Sequence, residues 1–572
     1  MEIFVSEGEQ HMNKDGSTPR SPHVHDQHEH CADEPGLSRR GFLGSTTAGL
    51  AAGTLTGSGL IGTALADDFG PRHRGGPSPK RRVLIKGGVV LTLDPNIGDF
   101  EEADVLIDGS KIVEVRPNIS ADAHLIDAKG MIVMPGFIDT HHHQYETIQR
   151  ANNADGNLQF GGVSPVWPQE GYGTVVQAIW TTGRLQVGDD VIWDLGRSPY
   201  DPEDNYISEL VASVSQINQG ITTGIDTSQS SHSPEHTDAM IEGLMDSGRR
   251  SLFVYSGGRS DTPGFEYPGS IGDTSSGLGR LRKQWFSSPD QLVTLGHSGG
   301  PPDGWLLARD FGAQIVNHNN SDGTNIIENA DLLGPDIEQI HCARFVPEAY
   351  QLCADNGVHI SIATAIELQM GHGTPPFQQC LNVGILPSLS GDVDTNMTPN
   401  LFTLMRSAFT LQRGLIHARA LAGETDLPPL LTCYQVIEMA TVAGAAGAGL
   451  SDKVGTLTPG KEADIILLNA RTIDTWPLNN APGSVVTMMD TSNVDTVFIG
   501  GRLAKWRGKL VGVRVEKLLR EVEASRDRVL ARIHSVPIPI DGLNSAPGYT
   551  PPLLSSCCSG GPQNIGRYPA TP

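Results

Sequence analysis

The chain has 572 residues, with 65 Asp or Glu against 41 Lys or Arg, for a formal net charge of −24 at pH 7. So acidic a balance excludes nucleic acid and anionic membrane as natural partners, because both select a basic face. Seven Cys are too few for a disulfide-stapled scaffold of this size, and 38% hydrophobic residues with 67 Gly and 38 Pro point to a large soluble body with loop-rich segments or ends.

Residues 1–37 are polar and His-rich, with HVHDQHEH from His23 to His30, and read as a solvated leader. SRRGFLG (Ser38–Gly44) then sets Arg39 and Arg40 before a mildly apolar run of Ala, Gly and Thr that ends at Ala64-Leu65-Ala66. The arrangement resembles a twin-arginine export signal, and the run is too rich in Gly, Ser and Thr for a membrane span. Cleavage after Ala66, passage through the twin-arginine machinery and a periplasmic or extracellular destination are the expectation. That route carries folded proteins, so a cofactor can be loaded before export.

A Pro/Gly-rich basic linker over 67–80 leads into short β-rich runs over 81–134: RVLIKGGVVLTLDP, ADVLIDGSKIVEV and AHLIDAKGMIVM. A matching set, GKEADIILLN and VDTVFIGGRLAKWRGKLVG, occupies 454–511, and the two are expected to pair as one small β-sandwich built from both ends of the mature chain. Between them, over 135–453, strand and helix alternate. The strands MIVMPGFID, GITTGID, RRSLFVYSG, QLVTLGH, AQIVNH, DIEQIH, GVHISIAT and GILPSLSGD predict an α/β fold of the (β/α)8 TIM barrel type. Helices over 401–422 and 428–447 close it, a charged amphipathic helix follows over 512–535, and 536–572 reads as a disordered Pro/Ser/Gly-rich tail.

In such a barrel the chemistry sits at the C-terminal ends of the strands. Strand one ends in His141-His142-His143, strand four in His297, strand five in His318, strand six in His341 and strand eight in Asp392. Alternation along a strand puts His141 and His143 on one face and His142 on the other, so the HxH pair can clamp one ion. Imidazoles plus one carboxylate suit Zn²⁺, with Fe²⁺ as the other candidate.

PGFIDTHHH (Pro135–His143), GITTGIDT, ELQMGHGTPP, SGDVDTN and ATVAGAAGAGLSDKVGTLTPGKEADIILL resemble the amidohydrolase superfamily, in its chlorohydrolase and cytosine/adenosine-type deaminase branch. The resemblance spans about residues 81–511. It implies that His141, His143, His318 and Asp392 hold one divalent metal, with His341 beside the metal-bound water or the substrate. It further implies that Asp392 accepts the water proton and that attack falls on an sp² carbon bearing an amino, amide or halide group. Members of the superfamily often form homo-oligomers.

Two departures qualify the resemblance. The deaminase branch carries a proton-shuttling Glu three residues after the fifth-strand His, where this chain has Ser321. Serine is no acid near pH 7, which argues for a leaving group needing less protonation, or for a donor elsewhere. Glu367 and His372, in IELQMGHG, are the nearest candidates. Second, no Lys stands at the end of strand four to bridge two metals, which predicts a mononuclear site and leaves His297 to touch substrate, bind a weak second metal, or simply pack. Trp167, Trp180 and Trp193, in the long insertion between strands one and two, either pack a core or wall an aromatic substrate pocket, with Trp167 foremost.

The leading reading is an exported metal-dependent hydrolase acting on a C–N bond of a small molecule, an aminated heterocycle or cyclic amide. A dehalogenase or lyase on the same site is the alternative, as is an amidohydrolase scaffold that lost turnover and binds its ligand.

Overall fold

The computed structural model describes residues 82–152, 154, 183–187, 190–258, 260, 264–533 and 535–536. The twin-arginine segment, the linker, the tail, Trp167 and Trp180 lie outside the described residues.

The first five strands belong to one sheet: β1 (Val83–Val90), β2 (Phe100–Asp108), β3 (Lys111–Arg116), β4 (His124–Asp127) and β5 (Met131–Pro135). The barrel strands are β6 (Phe137–His142), β9 (Ile221–Thr227), β10 (Arg250–Tyr255), β11 (Val293–His297), β12 (Gln314–Asn319), β13 (Ile337–His341), β14 (His359–Ile362) and β15 (Ser388–Leu389). Between β6 and β9 an antiparallel hairpin, β7 (Arg184–Val187) and β8 (Asp190–Asp194), carries Trp193. The last strands are β16 (Ile465–Asn469), β17 (Val494–Ile499), β18 (Arg502–Trp506) and β19 (Lys509–Leu510).

The eight barrel strands run in parallel in the order β15-β14-β13-β12-β11-β10-β9-β6. Most of their residues, polar ones included, are buried, as strands covered on both faces require. Helices follow most of them, for example Pro234–Ser247 after β9 and Pro347–Asp355 after β13. Pro at the first helical turn is pre-set for helix in both, and Gly248, at φ +72°, ends the first. β6 and β15 meet through a bridge of His142 with Asp392, with Asp392 N donating to His141 O at 2.8 Å and His143 N to Asp392 O at 2.8 Å. This nearly closes the barrel, and the seam lies at the predicted ligands.

The run MIVMPGFID, predicted as one strand, is two. β5 pairs antiparallel with β16 in the other sheet, and β6 pairs with β9 in the barrel. The chain changes sheets at Gly136, where a Cβ would stand 2.1 Å from Thr222 Oγ1. Strand eight also contracts to two residues, Ser388–Leu389, and Asp392 meets β6 as an isolated bridge beyond it.

Both ends of the described chain join in one nine-stranded sheet, ordered β19-β18-β17-β16-β5-β1-β2-β3 with β4 against β1. Its core gathers Ile85, Val105, Ile107, Val133, Ile465, Leu467 and Phe498. Arg250, at the start of β10, ties barrel to sheet through Asp464, with Nε and Nη2 donating at 2.9 and 3.0 Å. The helix Val515–Ile533 packs on Pro202–Asn218, where buried Asp204 accepts from Arg528 at 2.8 Å and Arg532 at 2.5 Å.

Candidate metal centre

His141, His143, His318, His341 and Asp392 converge at the C-terminal end of the barrel. Potential ligand atoms of His141, His143 and His318 lie within 4.8 Å of one another, as do those of His141, His341 and Asp392. Asp392 Oδ1 stands 3.1 Å from His141 Nε2 and 3.6 Å from His143 Nε2, and its Oδ2 3.8 Å from His341 Nε2. His143 and His318 stack, their Nε2 atoms 3.1 Å apart.

Thr227, at the end of β9, sets the orientation of the HxH pair. Its carbonyl lies 3.1 Å from His143 Nδ1, and its hydroxyl 2.9 Å from His141 Nδ1. A carbonyl only accepts, so His143 carries its proton on Nδ1 and presents the Nε2 lone pair to the cluster. Burial pushes the His143 pKa down to about 3 and lowers those of His141 and His318, so all three are neutral imidazoles. His141 Nε2 is buried with no hydrogen-bond partner. Three neutral nitrogens and one carboxylate oxygen, converging with lone pairs and an unsatisfied atom between them, fit a divalent cation.

Burial works against the Asp392 charge, but the close contact of His141 and the raised His341 imidazole outweigh it and hold the carboxyl well below the usual range. For His341 burial again opposes the charge. The Glu367 hydrogen bond and the Asp392 carboxylate outweigh it and raise the imidazole above its ordinary value. His341 and Asp392 also take the left-handed backbone region, at φ +71° and +58°, a conformation that costs a non-glycine residue energy and recurs at working sites.

The other predicted residues separate. Glu367 is fully buried, and its Oε1 lies 3.0 Å from His341 Nδ1 while accepting from Ala363 N at 2.9 Å. It therefore orients His341. His372 is buried with its ring centroid 4.3 Å from that of His341. His297 is buried and donates from Nδ1 to Tyr255 O at 2.8 Å, its other edge against Gly299. Ser321, expected at the substrate, is exposed: its hydroxyl donates to Asn319 Oδ1 at 2.7 Å and accepts from Gly323 N. The turn before the helix Thr324–Glu328 draws Ser321 into its own loop instead of the cluster. Asp394 is buried, 3.7 Å from both His142 Nε2 and Arg150 Nε.

Sequence reasoning missed Thr227 and Glu146. Thr227 ends the run GITTGIDT, and the strand-end rule that selects the histidines applies to it equally, though a hydroxyl carries no ligand signal. Glu146 follows HHH by three residues, and burial raises its pKa to about 8, with Asp392 and Asp394 adding to the shift.

Comparison with known proteins agrees with this geometry. The Amidohydrolase family model matches residues 132–504. The 5'-deoxyadenosine deaminase of Methanosarcina mazei is 24% identical over 481 residues, covering 79% of this chain and 99% of that protein. A 5-methylthioadenosine/S-adenosylhomocysteine deaminase of Pelotomaculum thermopropionicum is also 24% identical, with the same coverage. Among solved structures, an adenosine deaminase from Xanthomonas campestris with bound zinc superposes with a TM-score of 0.61 at 18% identity, covering 78% of this chain and 98% of that one. An atrazine chlorohydrolase from Arthrobacter aurescens TC1 complexed with zinc gives 0.63 at 22%, covering 78% and 100%. The likeness to the solved structures is one of fold, and the family match extends from β5 to β18: the chain belongs to the amidohydrolase family.

Proposed function

We propose that this chain is a metal-dependent hydrolase that uses an activated water on a C–N bond of a small molecule, an aminated heterocycle or a cyclic amide. The observation that carries the reading is the convergence of His141, His143, His318 and Asp392, with the His143 tautomer fixed by Thr227. These four residues would hold the cation, with zinc as the first candidate because zinc is bound in both solved relatives named above. When bound, the cation supplies Lewis acidity, drawing the pKa of a water toward neutrality and polarising the bond under attack.

The protein's own groups handle the proton. Asp392 stays ionised and is placed to accept it from the attacking water. His341, held by Glu367, is the proton-bearing group opposite Asp392 and orients the water or the substrate. His372, packed on His341, lines the same side. Proton delivery to the leaving group falls to this side, because Ser321 is turned into its own loop. That favours a leaving group less basic than the amine of an ordinary purine. Displacement of halide by the same site is consistent with the likeness to an atrazine chlorohydrolase.

Further parts of the reading concern the whole chain. The nine-stranded sheet folds as a small sandwich over its core, with domain limits near 134/135 and 453/454. Residues 1–66 serve as a twin-arginine signal.

Metal analysis of the purified mature protein is the test. About one ion per chain, lost in His141→Ala, is expected, and a metal-free wild type that gains no activity with zinc or iron defeats the reading. A screen of aminated heterocycles, lactams and halogenated aromatics with ammonia and halide detection then identifies the leaving group. Retention of the Arg39→Lys/Arg40→Lys variant in the cytoplasm, with wild type exported, tests the signal.

A further inference from the structure

Strict alternation along β6 puts Asp139 and His142 on opposite faces. The structure puts both against one side chain, Gln216, in the helix Pro202–Asn218: its Nε2 donates to Asp139 Oδ2 at 2.6 Å and to His142 Nδ1 at 2.9 Å. The cause is a bulge. In the pairing of β6 with β9, Asp139 lies opposite Gly224 and His142 opposite Asp226, so three steps on one strand match two on the other. Thr140 and His141 span the extra residue. Thr140 bonds Ser361 and Ser388 across the seam, and His141 turns to Thr227 and Asp392. Bulges of this kind re-aim side chains beside active sites.

Gln216 cannot reverse its amide. Arg249 Nη1 donates to Gln216 Oε1, and a guanidinium has no acceptor, so both amide protons are directed toward β6. The guanidinium itself is fixed, donating to Ser251 Oγ at 3.0 Å and packing over Gly224, where a Cβ would stand 2.6 Å from Cζ. Arg249, Gln216, Asp139 and His142 are all fully buried, so water does not substitute for any of them. The far oxygen of Asp139 reaches across the seam. Oδ1 accepts from His141 N at 3.3 Å and from Gly391 N at 2.9 Å, the amides of one candidate ligand and of the residue before the other, Asp392.

We propose that Gln216, oriented by Arg249, is a positioning residue of the metal centre: it clamps the β6 bulge from outside and, through Asp139, fixes His141 relative to Asp392. The inference rests on the metal-dependent reading above. In this arrangement the direction of each hydrogen bond matters as much as its presence. A donor at position 139 would face the Gln216 amide protons, and a carboxylate at 216 would face the Asp139 carboxylate. Exchanging the two groups restores a donor–acceptor pair and conserves the net charge.

The experiment is a double-mutant cycle on zinc affinity, measured by chelator competition at pH 8, with thermal unfolding as the parallel readout. Asp139→Asn and Gln216→Glu singly are expected to weaken zinc by roughly 10–100-fold, the range for residues that orient metal ligands. The exchange, Asp139→Asn with Gln216→Glu, is expected to recover at least tenfold over the weaker single variant. Should a single variant fail to fold, an exchanged protein that folds and binds zinc within about tenfold of wild type still supports the clamp. An exchange no better than the weaker single variant overturns it. So do single variants that melt earlier yet bind zinc as tightly as wild type, which is the signature of a purely structural role. A wild type that binds no zinc or iron defeats the metal reading itself, a result distinct from either.

Discussion

The β6–β15 seam and the nine-stranded sheet are built from the same kind of strand and put to opposite uses. In the sheet, Ile107, Ile465 and Phe498 meet as apolar side chains, and although its ladders also carry register shifts, the gain is burial alone. At the seam, His141, His142, Asp392 and Asp394 are buried polar groups, β6 is bulged, and Asp392 sits in left-handed backbone. Buried polar atoms with no partner gather there, among them His141 Nε2 and Glu146 Oε2. Such atoms cost stability, and a site that receives a cation, a water and a substrate has a use for them that a structural core does not. The sheet holds the barrel, and the barrel strands end where that stability is spent on chemistry.

The sharpest way to break this contrast is His141→Ala. It should abolish bound metal and bring turnover to background while leaving the melting temperature within a few degrees of the metal-free wild type, checked by metal analysis and thermal unfolding. An unfolded His141→Ala protein would make the seam a structural core like the sheet. Next in size, Glu367→Ala removes the acceptor from His341 Nδ1 and should lower kcat by about 10–100-fold. Glu367→Gln, which keeps an acceptor oxygen, should lose less, and equal losses would argue against the orienting role.

In the sheet the outcome should reverse. Ile107→Ala opens a cavity far from any ligand and should cost about 2–5 kcal/mol in denaturant unfolding with kcat per folded molecule unchanged. The smallest effect concerns Lys505 on β18, whose Nζ donates to Asn218 O at 2.6 Å and whose pKa burial lowers to about 8. The unfolded chain holds this proton up to the ordinary lysine value, so between about pH 8 and 10.4 it binds more protons than the folded chain. This group's contribution to stability therefore rises with pH across that window and is least favourable below it. Lys505→Met should raise the melting temperature at pH 7 and flatten the alkaline rise, as followed by thermal unfolding from pH 7 to 10.5.

Much of this protein was legible in its sequence. Strand-end position marks His141, His142, His143, His297, His318, His341 and Asp392 together, because a barrel of parallel strands presents its C-terminal ends together whatever lies between them, and the family resemblance narrows the set. The alternation of β-rich and helical runs gives the barrel, and the Gly136 crossing splits its first expected strand between two sheets. Ser321 was legible only as a departure. Its place in the loop depends on a hydroxyl finding Asn319 Oδ1 and Gly323 N, a local competition that residue spacing does not rank. Glu367 was visible as a carboxylate near the site, but not that it faces His341 in place of a substrate.

By itself the sequence determined the inventory: which histidines and carboxylates end which strands, and in what chain order. Tertiary structure alone decided their orientation. Thr227 joins the HxH pair across two strands, Asp139 joins His141 to the chain before Asp392 across more than 250 residues, and the β6 bulge defeats the two-residue period on which any reading of strand faces depends. Hydrogen-bond direction is a property of pairs brought together by folding. A chain read one residue at a time carries the donors and acceptors, and only the closed barrel assigns them to one another.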